Sequence, residues 1–341
     1  MNGSDMMVTI KDVAKEAGVA ISTVSNVLNN VNIVSEETRQ KVLDASNRLK
    51  YVPNINAKLL KTNKRNTIGL FVPSVQGEFY KIIMQAIHIQ CKLNGYLLNI
   101  YVSNENTSEE IYSMVISSGV VGAIIINEKL EDEHLSRIEE SKLPVVFVDR
   151  EYTGEKMSSV LIDNVYGASL AVEYLAKHGH KRIGYIHGVY NTDDEGRYKG
   201  YEDAMNKYKL PIDKNIILRG FFEEMVAYSE MRVLLLKGID LPDAMFCAND
   251  EMAIGCIRAL TEAGIDVPSQ ISVVGFDDIP MASIHNPPLT TIHSPVLEMG
   301  TLCFNELIRL LSEEDDDLGV GGLISRLVPS LVVRDTCEFR I

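Results

Sequence analysis

Six polar residues stand directly behind short apolar runs. Asn127 ends VGAIIIN, Asp149 and Arg150 follow VVFV, Asn249 and Asp250 follow AMFCA, and Asp277 follows ISVVGF. Carboxylates and amides in such places accept and donate hydrogen bonds. Joined by a bidentate guanidinium such as that of Arg197, in GRYKGY, they make a set suited to vicinal hydroxyls. This is recognition chemistry, and the sequence offers no constellation for anything more reactive. The closest histidine pair is His178-x-His180, and the five cysteines are scattered with no CxxC spacing, so neither a metal site nor a disulfide framework is expected. GxSxG, GxxxxGK[ST] and GxGxxG are all missing, which argues against nucleophilic hydrolysis, nucleotide-phosphate cradles and dinucleotide cofactors. The acidic pair Asp277-Asp278 and the run Glu313-Glu314-Asp315-Asp316-Asp317 could be mistaken for catalytic carboxylates; the run precedes a Gly-rich turn and reads as a solvated loop. The expectation is a protein that is not an enzyme and needs no cofactor.

Positioning these residues requires strands that end at one place. From Thr67 onward, β-rich apolar runs alternate with helix-length amphipathic segments, the pattern of parallel sheets covered by helices. Strands are expected at 68–72, 96–102, 121–127, 145–149 and 159–163, then at 182–187, 215–220, 244–249 and 271–276. The two series open alike, with TIGLFV and RIGYIH, a weak internal repeat. Two doubly wound lobes would leave a cleft at the carboxyl ends of their strands, where open α/β sheets take ligands.

The charge balance splits in the same way. The 341 residues carry a net charge of −14, which on its face excludes nucleic acid. Residues 1–66 hold ten Lys/Arg against six Asp/Glu, a balance of +4, while the rest hold 23 against 41, a balance of −18. A small basic head on an acidic body is the asymmetry of an appended nucleic-acid module. No apolar stretch is long enough for a membrane span, and the first residues, Met1-Asn2-Gly3-Ser4-Asp5, do not read as a secretory leader, so a cytoplasmic location is expected.

The head has the pattern to match. In IKDVAKEAGVAISTVSNVLN, Val13, Ala14 and Ala17 form an apolar stripe, Gly18 permits a left-handed turn, and Val19, Val24 and Val27 follow. Two helices at 10–17 and 21–28 crossing at Gly18 make a helix-turn-helix, whose second helix enters the major groove. Ser35 caps a third helix running to about Leu49, with Val42, Leu43, Ala45 and Leu49 as its core face. A short basic segment, NINAKLLKTNKRN, follows; two turns of helix there would be unstable alone. It reads as a flexible linker or as a hinge that becomes helical on DNA.

The run TIKDVAKEAGVAISTVSNVLNN, then VSEETRQKVLDASNRLKYVPNINAKLLKTNKRNTIGLFVP, resembles the lactose-repressor/galactose-repressor family of bacterial transcription regulators, and FCANDEMAIG and VPSQISVVGFDDIP extend the resemblance over the body. It implies an all-α helix-turn-helix head (1–52), a hinge and linker (53–66) and an effector-binding and dimerisation body (67–341). The implied body has two doubly wound parallel-sheet lobes of periplasmic-binding-protein type, the first taking 67–162 plus 291–325 and the second 163–290 plus 326–341. By the same resemblance Ile21, Ser22 and Asn26 read base edges, while Thr9, Thr23, Ser25 and Asn29 contact phosphates. Leu60 matches a hinge leucine wedged into the minor groove, with Ala57 one turn before it and Lys61 beside the phosphates. Ala20 departs from the Ser that usually caps the recognition helix, and Asn26 from a frequent Arg. In the cleft, Arg197 and Asp277 match effector contacts, and Phe79 and Phe222 match aromatics laid against a sugar or purine face. Asn305 stands where the branch governed by a phosphorylated carrier protein has Arg, which disfavours that corepressor. The expected partners are double-stranded operator DNA, a small sugar-like effector and a second copy of the chain, with no metal and no membrane. No heptad helix follows Arg334, so a dimer is expected without a tetramerisation tail. A purine effector and a sugar receptor without DNA function are the alternatives, and inducer and corepressor both fit the same fold.

Overall fold

A computed structural model describes residues 8–28, 31, 33–51, 66–103, 106–312 and 321–340. The chain forms two compact units, Met1–Arg65 and Asn66–Ile341. Asn29, Ala57, Leu60 and Lys61, the hinge as a whole and the acidic run at 313–317 lie outside the described residues.

In the first unit, α1 (Ile10–Ala17), α2 (Ile21–Leu28) and α3 (Glu36–Arg48) enclose a core of Val13, Ala14, Val24, Val27, Val42 and Ala45. Gly18 ends α1 at φ 66°, a left-handed conformation that a Cβ would strain, and its N–H reaches back to the carbonyls of Ala14 and Lys15. Ser35 caps α3, accepting from the Thr38 amide at 3.4 Å. Leu43 departs from the expected core face: it is 37% exposed, and Ser46 takes the buried place beside Val42 and Ala45. Ala20 starts α2 through its carbonyl, which accepts from Thr23 and Val24, but it has no side chain to cap the free amides. Ala20→Ser is therefore expected to stabilise α2 by about 1 kcal/mol, slowing hydrogen exchange of its first-turn amides roughly fivefold; unchanged exchange would show that the missing cap costs nothing.

The second unit holds two six-stranded sheets. The first is ordered β11-β5-β4-β3-β1-β2, built from β1 (Thr67–Val72), β2 (Leu97–Val102), β3 (Gly122–Ile125), β4 (Val145–Val148), β5 (Met157–Ile162) and β11 (Ile324–Leu327). The second is ordered β12-β10-β9-β8-β6-β7, from β6 (Ile183–His187), β7 (Ile217–Arg219), β8 (Ala244–Cys247), β9 (Ser272–Asp277), β10 (Thr290–His293) and β12 (Ser330–Val332). All neighbours are parallel except β10 with β12. The two orders are the same arrangement repeated: β1 and β6, the strands of the TIGLFV/RIGYIH repeat, each lie second from one edge. In both sheets the chain leaves this strand for the edge and returns on its other side, a topological switch point of the kind that opens a crevice.

The lobe boundaries need correction. Thr290–His293 pairs with β9 in the second sheet, and β11 runs to Leu327 in the first. The crossovers thus fall after Ile162, after His293 and after Leu327, a few residues later than the 290/291 and 325/326 divisions drawn from sequence. Strands of three or four residues with mixed polarity, such as ISRL and SLV, carry no periodic signal. The helices are α4 (Glu78–Leu93), α5 (Ser108–Ser117), α6 (Asp132–Glu140), α7 (Asn164–Lys177), α8 (Thr192–Lys207), α9 (Glu224–Leu236), α10 (Asp250–Glu262), α11 (Pro280–Ile284) and α12 (Val296–Ser312). The chain crosses back into the first lobe before α12, which packs there on α4 and β5.

Candidate effector cleft and DNA-reading helix

The polar face of α2 follows from where its valines go. Val24 and Val27 are fully buried, and at 100° per residue Ser22, Ser25 and Asn26 fall on the opposite side, with Ile21 at its edge. Ile21 and Ser22 are exposed, Ser25 and Asn26 half-buried, and Thr23 lies at the flank. The helix thus presents one apolar side chain, two hydroxyls and an amide on its outer face. Thr9 sits at the N-terminus of α1, where its amide and its hydroxyl both donate to Asp12 Oδ2, at 2.8 and 2.7 Å. That hydrogen bond holds the exposed Asp12 carboxyl below its ordinary pKa.

In the second unit, the residue around which the cleft is organised is Arg197. It rises from α8 and is 6% exposed. Its Nε donates to Asn164 Oδ1 at 2.9 Å, Nη1 to the Ala248 carbonyl, and Nη2 meets Asp277 Oδ1 at 3.1 Å. The guanidinium lies over the Phe276 ring at 3.9 Å, with Phe222 at 5.8 Å. Burial alone would disfavour its charge, but Asp277, Asp193 and Asp149 more than offset this, and its pKa lies above the ordinary value. Asp277, the last residue of β9, and the next residue, Asp278, hold φ of 104° and 56°, a strained turn that lets the two carboxylates diverge. Asp277 takes Arg197 and the Ser294 hydroxyl; Asp278 takes Arg334 and His293. Phe222, with φ 63°, lays its ring over Gly188, where a Cβ would come within 2.1 Å of the ring.

Facing Arg197 is a set of acids that lie far apart along the chain. Asp149 (after β4, first lobe) and Asp193 (start of α8, second lobe) line one cavity of about 130 Å³ together with Asn164. Asp193 accepts from Asn164 Nδ2 at 2.8 Å, and burial, with help from Glu128 and Asp277, pushes its pKa up to about 6. Burial, then Asp193, raises Asp149 well above the carboxylate range, and its Oδ1 finds no hydrogen-bond partner among the described residues. Burial, then Asp193, Asp149 and Glu128, raises Tyr80 to about 12. A carboxyl with a raised folded pKa binds protons more tightly folded than unfolded. The stability from Asp193 is therefore present below its ordinary 3.8 and lost as pH climbs through about 6. Melting temperature is expected to fall less between pH 4 and 7 in Asp193→Asn than in the wild-type chain; parallel profiles would contradict this.

The other sequence candidates reach the same region with their polar atoms already engaged. Asn127 donates to Ser103 at 2.9 Å and accepts from the Lys129 amide at 2.8 Å. Asn249 caps α10 through the Met252 amide and donates to the Phe222 carbonyl. Asp250 is fully buried, one oxygen taken by the Thr291 hydroxyl at 2.5 Å and the other by the Ile279 amide at 2.8 Å, so it ties α10 to β10 and α11. Arg150 donates to the Glu128 carbonyl at 3.1 Å. Phe79 is half-buried against the first lobe's core, edge-on to Tyr80. Residues that sequence reasoning missed are Asp193, Asn164, Tyr80 and Glu128. Their only signal was position, at strand ends or helix starts. The His178-x-His180 pair packs the C-terminal segment: His178 stacks between Tyr174 and Phe339, and His180 Nε2 lies 3.1 Å from the Glu338 carbonyl.

Hydrogen bonds cross between the lobes at two helix starts. Glu128, behind β3, accepts from the Thr192 amide at the N-terminus of α8 at 3.2 Å. Glu251, on α10, accepts from the Glu78 amide at the N-terminus of α4 at 3.3 Å. Each lobe thus lends a carboxylate to a helix start of the other, where free amides and the helix dipole favour negative charge.

Comparison with known proteins places this geometry. Residues 9–54 match the model of bacterial regulatory proteins of the lacI family, and residues 172–337 match that of the periplasmic binding protein-like domain. The HTH-type transcriptional repressor PurR of Haemophilus influenzae (strain PittEE) is 35% identical over 338 residues, covering 97% of this chain and 99% of the relative. The chain belongs to the lacI family of bacterial regulatory proteins. Among solved structures, the Lac repressor dimer bound to operator and the anti-inducer ONPF matches with a TM-score of 0.80 at 30% identity, over 98% of this chain and 100% of that one. The transcriptional regulator CelR in complex with cellobiose matches with a TM-score of 0.71 at 28% identity, over 96% and 99%. As a lacI-family member the chain is a DNA-binding transcriptional repressor with a ligand-binding body. Its relatives are transcription regulators and not enzymes, and repressors of the family bind operator DNA as dimers with small-molecule effectors. No helix among the described residues is long and apolar enough to cross a membrane.

Proposed function

We propose that this repressor reads a pseudo-palindromic operator through α2, as a homodimer, and is controlled by a small hydroxyl-rich, sugar-like effector held between the lobes of its body. The observation that carries the DNA part is the outer face of α2, with Ser22, Ser25 and Asn26 opposite the buried Val24 and Val27 and the exposed Ile21 at its edge. Ile21, Ser22 and Asn26 would contact base edges; Thr9, Thr23, Ser25 and Asn29 would contact phosphates; Ala57, Leu60 and Lys61 would act at the minor groove. The reading head is assigned to 1–52, the hinge to 53–66 and the body to 67–341. The protein would work in the cytoplasm, beside its operator.

For the effector, the supporting residues are the buried Arg197 and the half-buried Asp277, joined at 3.1 Å, with Asp149 and Asp193 beside them and Phe222 within reach of the guanidinium. Acceptors in excess of donors suit a ligand that brings its own donors, as sugar hydroxyls do. A purine is the second reading. The likeness to PurR favours it, and so do Phe79, Tyr80 and Phe222 around acids able to accept ring N–H groups. A thermal-shift screen of sugars and purines, followed by calorimetry, tests both; a sugar is expected to raise the melting temperature, and stabilisation by purines alone would replace the first reading with the second.

The dimer surface is assigned to the free edge of the first sheet. Among the described residues β2 is bonded to β1 alone, and it leaves Leu97, Ile100 and Val102 each 46% exposed, with Leu93 exposed at the end of α4. An apolar sheet edge of this kind needs cover.

A further inference from the structure

The second sheet also has an edge strand, β7, bonded among the described residues to β6 alone. Between β7 and α9 lies a cavity of about 480 Å³ whose charge runs against that of its surroundings. The residues after Asn66 carry 23 Lys/Arg against 41 Asp/Glu, yet Lys214, Arg219 and Lys237 wall this cavity against one carboxylate, Glu230. The acid next to Lys214, Asp213, is turned away to Arg182 at 2.7 Å. The Arg219 guanidinium lies 4.0 Å from the centre of the Tyr190 ring; one terminal nitrogen donates to the Tyr190 hydroxyl, while Nη1 is shut from water with no acceptor among the described residues. A buried donor left unpaired costs about 1–3 kcal/mol, more when charged. Phe221, held at φ 55° with its ring 46% exposed, and Ile239 give the cavity an apolar side. The volume falls within the roughly 300–1,000 Å³ of small-molecule sites.

We propose that this cavity binds a phosphorylated small molecule of mononucleotide size, with its phosphate on Lys214, Arg219 and Lys237 and a flat or apolar part against Phe221. The acid-lined cleft between the lobes repels such a ligand, so the two sites would sort ligands by charge. Calorimetry on the full chain with AMP and with adenosine tests the proposal. AMP is expected to bind, adenosine at least about tenfold more weakly, since it lacks the phosphate. Lys214→Glu combined with Lys237→Glu should weaken AMP at least about tenfold. Both lysines are exposed, so an unchanged melting temperature is expected to accompany the loss. Asp277→Asn, which alters only the cleft, should leave AMP affinity unchanged. No binding of AMP, binding that survives the double charge reversal, equal affinity for adenosine, or binding lost in Asp277→Asn would each overturn the assignment.

Discussion

Replacing Arg197 with alanine is expected to weaken effector binding at least about 100-fold and to destabilise the second lobe by about 3–5 kcal/mol. The side chain is 6% exposed and satisfies three groups at once, the Asn164 amide oxygen, the Ala248 carbonyl and the Asp277 carboxylate. Alanine would take this donor from the Asn164 and Ala248 oxygens and leave Asp277 with the Ser294 hydroxyl but without its counter-charge. Denaturant melts should show the loss of stability, and calorimetry with a ligand from the sugar and purine screen the loss of affinity. Asp277→Asn separates the two effects. It keeps the shape of the side chain, yet its amide cannot match a charged acceptor for Arg197 or for a ligand hydroxyl, so affinity should drop by at least about tenfold with a smaller stability cost. Wild-type affinity in both variants would remove the pair from the effector site.

The second large effect is expected at the other end of the body. Leu97→Asp with Ile100→Asp places two charges on the exposed edge β2, where Leu97 and Ile100 are each 46% exposed, so the monomer fold should persist. A second copy could no longer cover that edge without burying charge. One head then binds one half-site, and the gain from linking two heads, about 10²–10⁴ in affinity, is lost. Sedimentation should report a monomer and a mobility-shift titration a loss of operator binding of about a thousandfold. A variant that stays dimeric would move the interface elsewhere.

Much of this architecture is legible in the sequence because it rests on local, periodic signals. IGLFV, VVFV and AMFC are continuous apolar runs bounded by polar residues, and they form β1, β4 and β8. Gly18 between two valine-bearing stripes marks the turn between α1 and α2 for the same reason. The final crossovers are not legible, since ISRL and SLV alternate weakly and are fixed by pairing with β5 and β10, far away along the chain. The cleft was legible in part. Residues behind strand ends do gather there, but position does not reveal who bonds to whom. Asp250 and Asn249 look like ligand groups in sequence and turn out to tie protein segments together, through Thr291, Ile279 and Met252. Asp193, one residue into α8, looks like an ordinary first-turn acid and instead lines a cavity with Asp149. Such partnerships depend on two lobes folding against each other, which no window of neighbouring residues encodes.

A ligand in the cleft is expected to change how the head holds its operator, which requires different ligand affinities in the DNA-bound and free states. The most direct test is operator affinity measured by fluorescence anisotropy, with and without a cleft ligand, for the wild-type chain and for Asp277→Asn. We expect the ligand to shift wild-type operator affinity at least about fivefold, within the usual span of allosteric coupling, and Asp277→Asn to bind operator normally but respond only at much higher ligand concentration. An identical ligand response in the two proteins, or operator affinity indifferent to a ligand that demonstrably fills the cleft, would contradict the account.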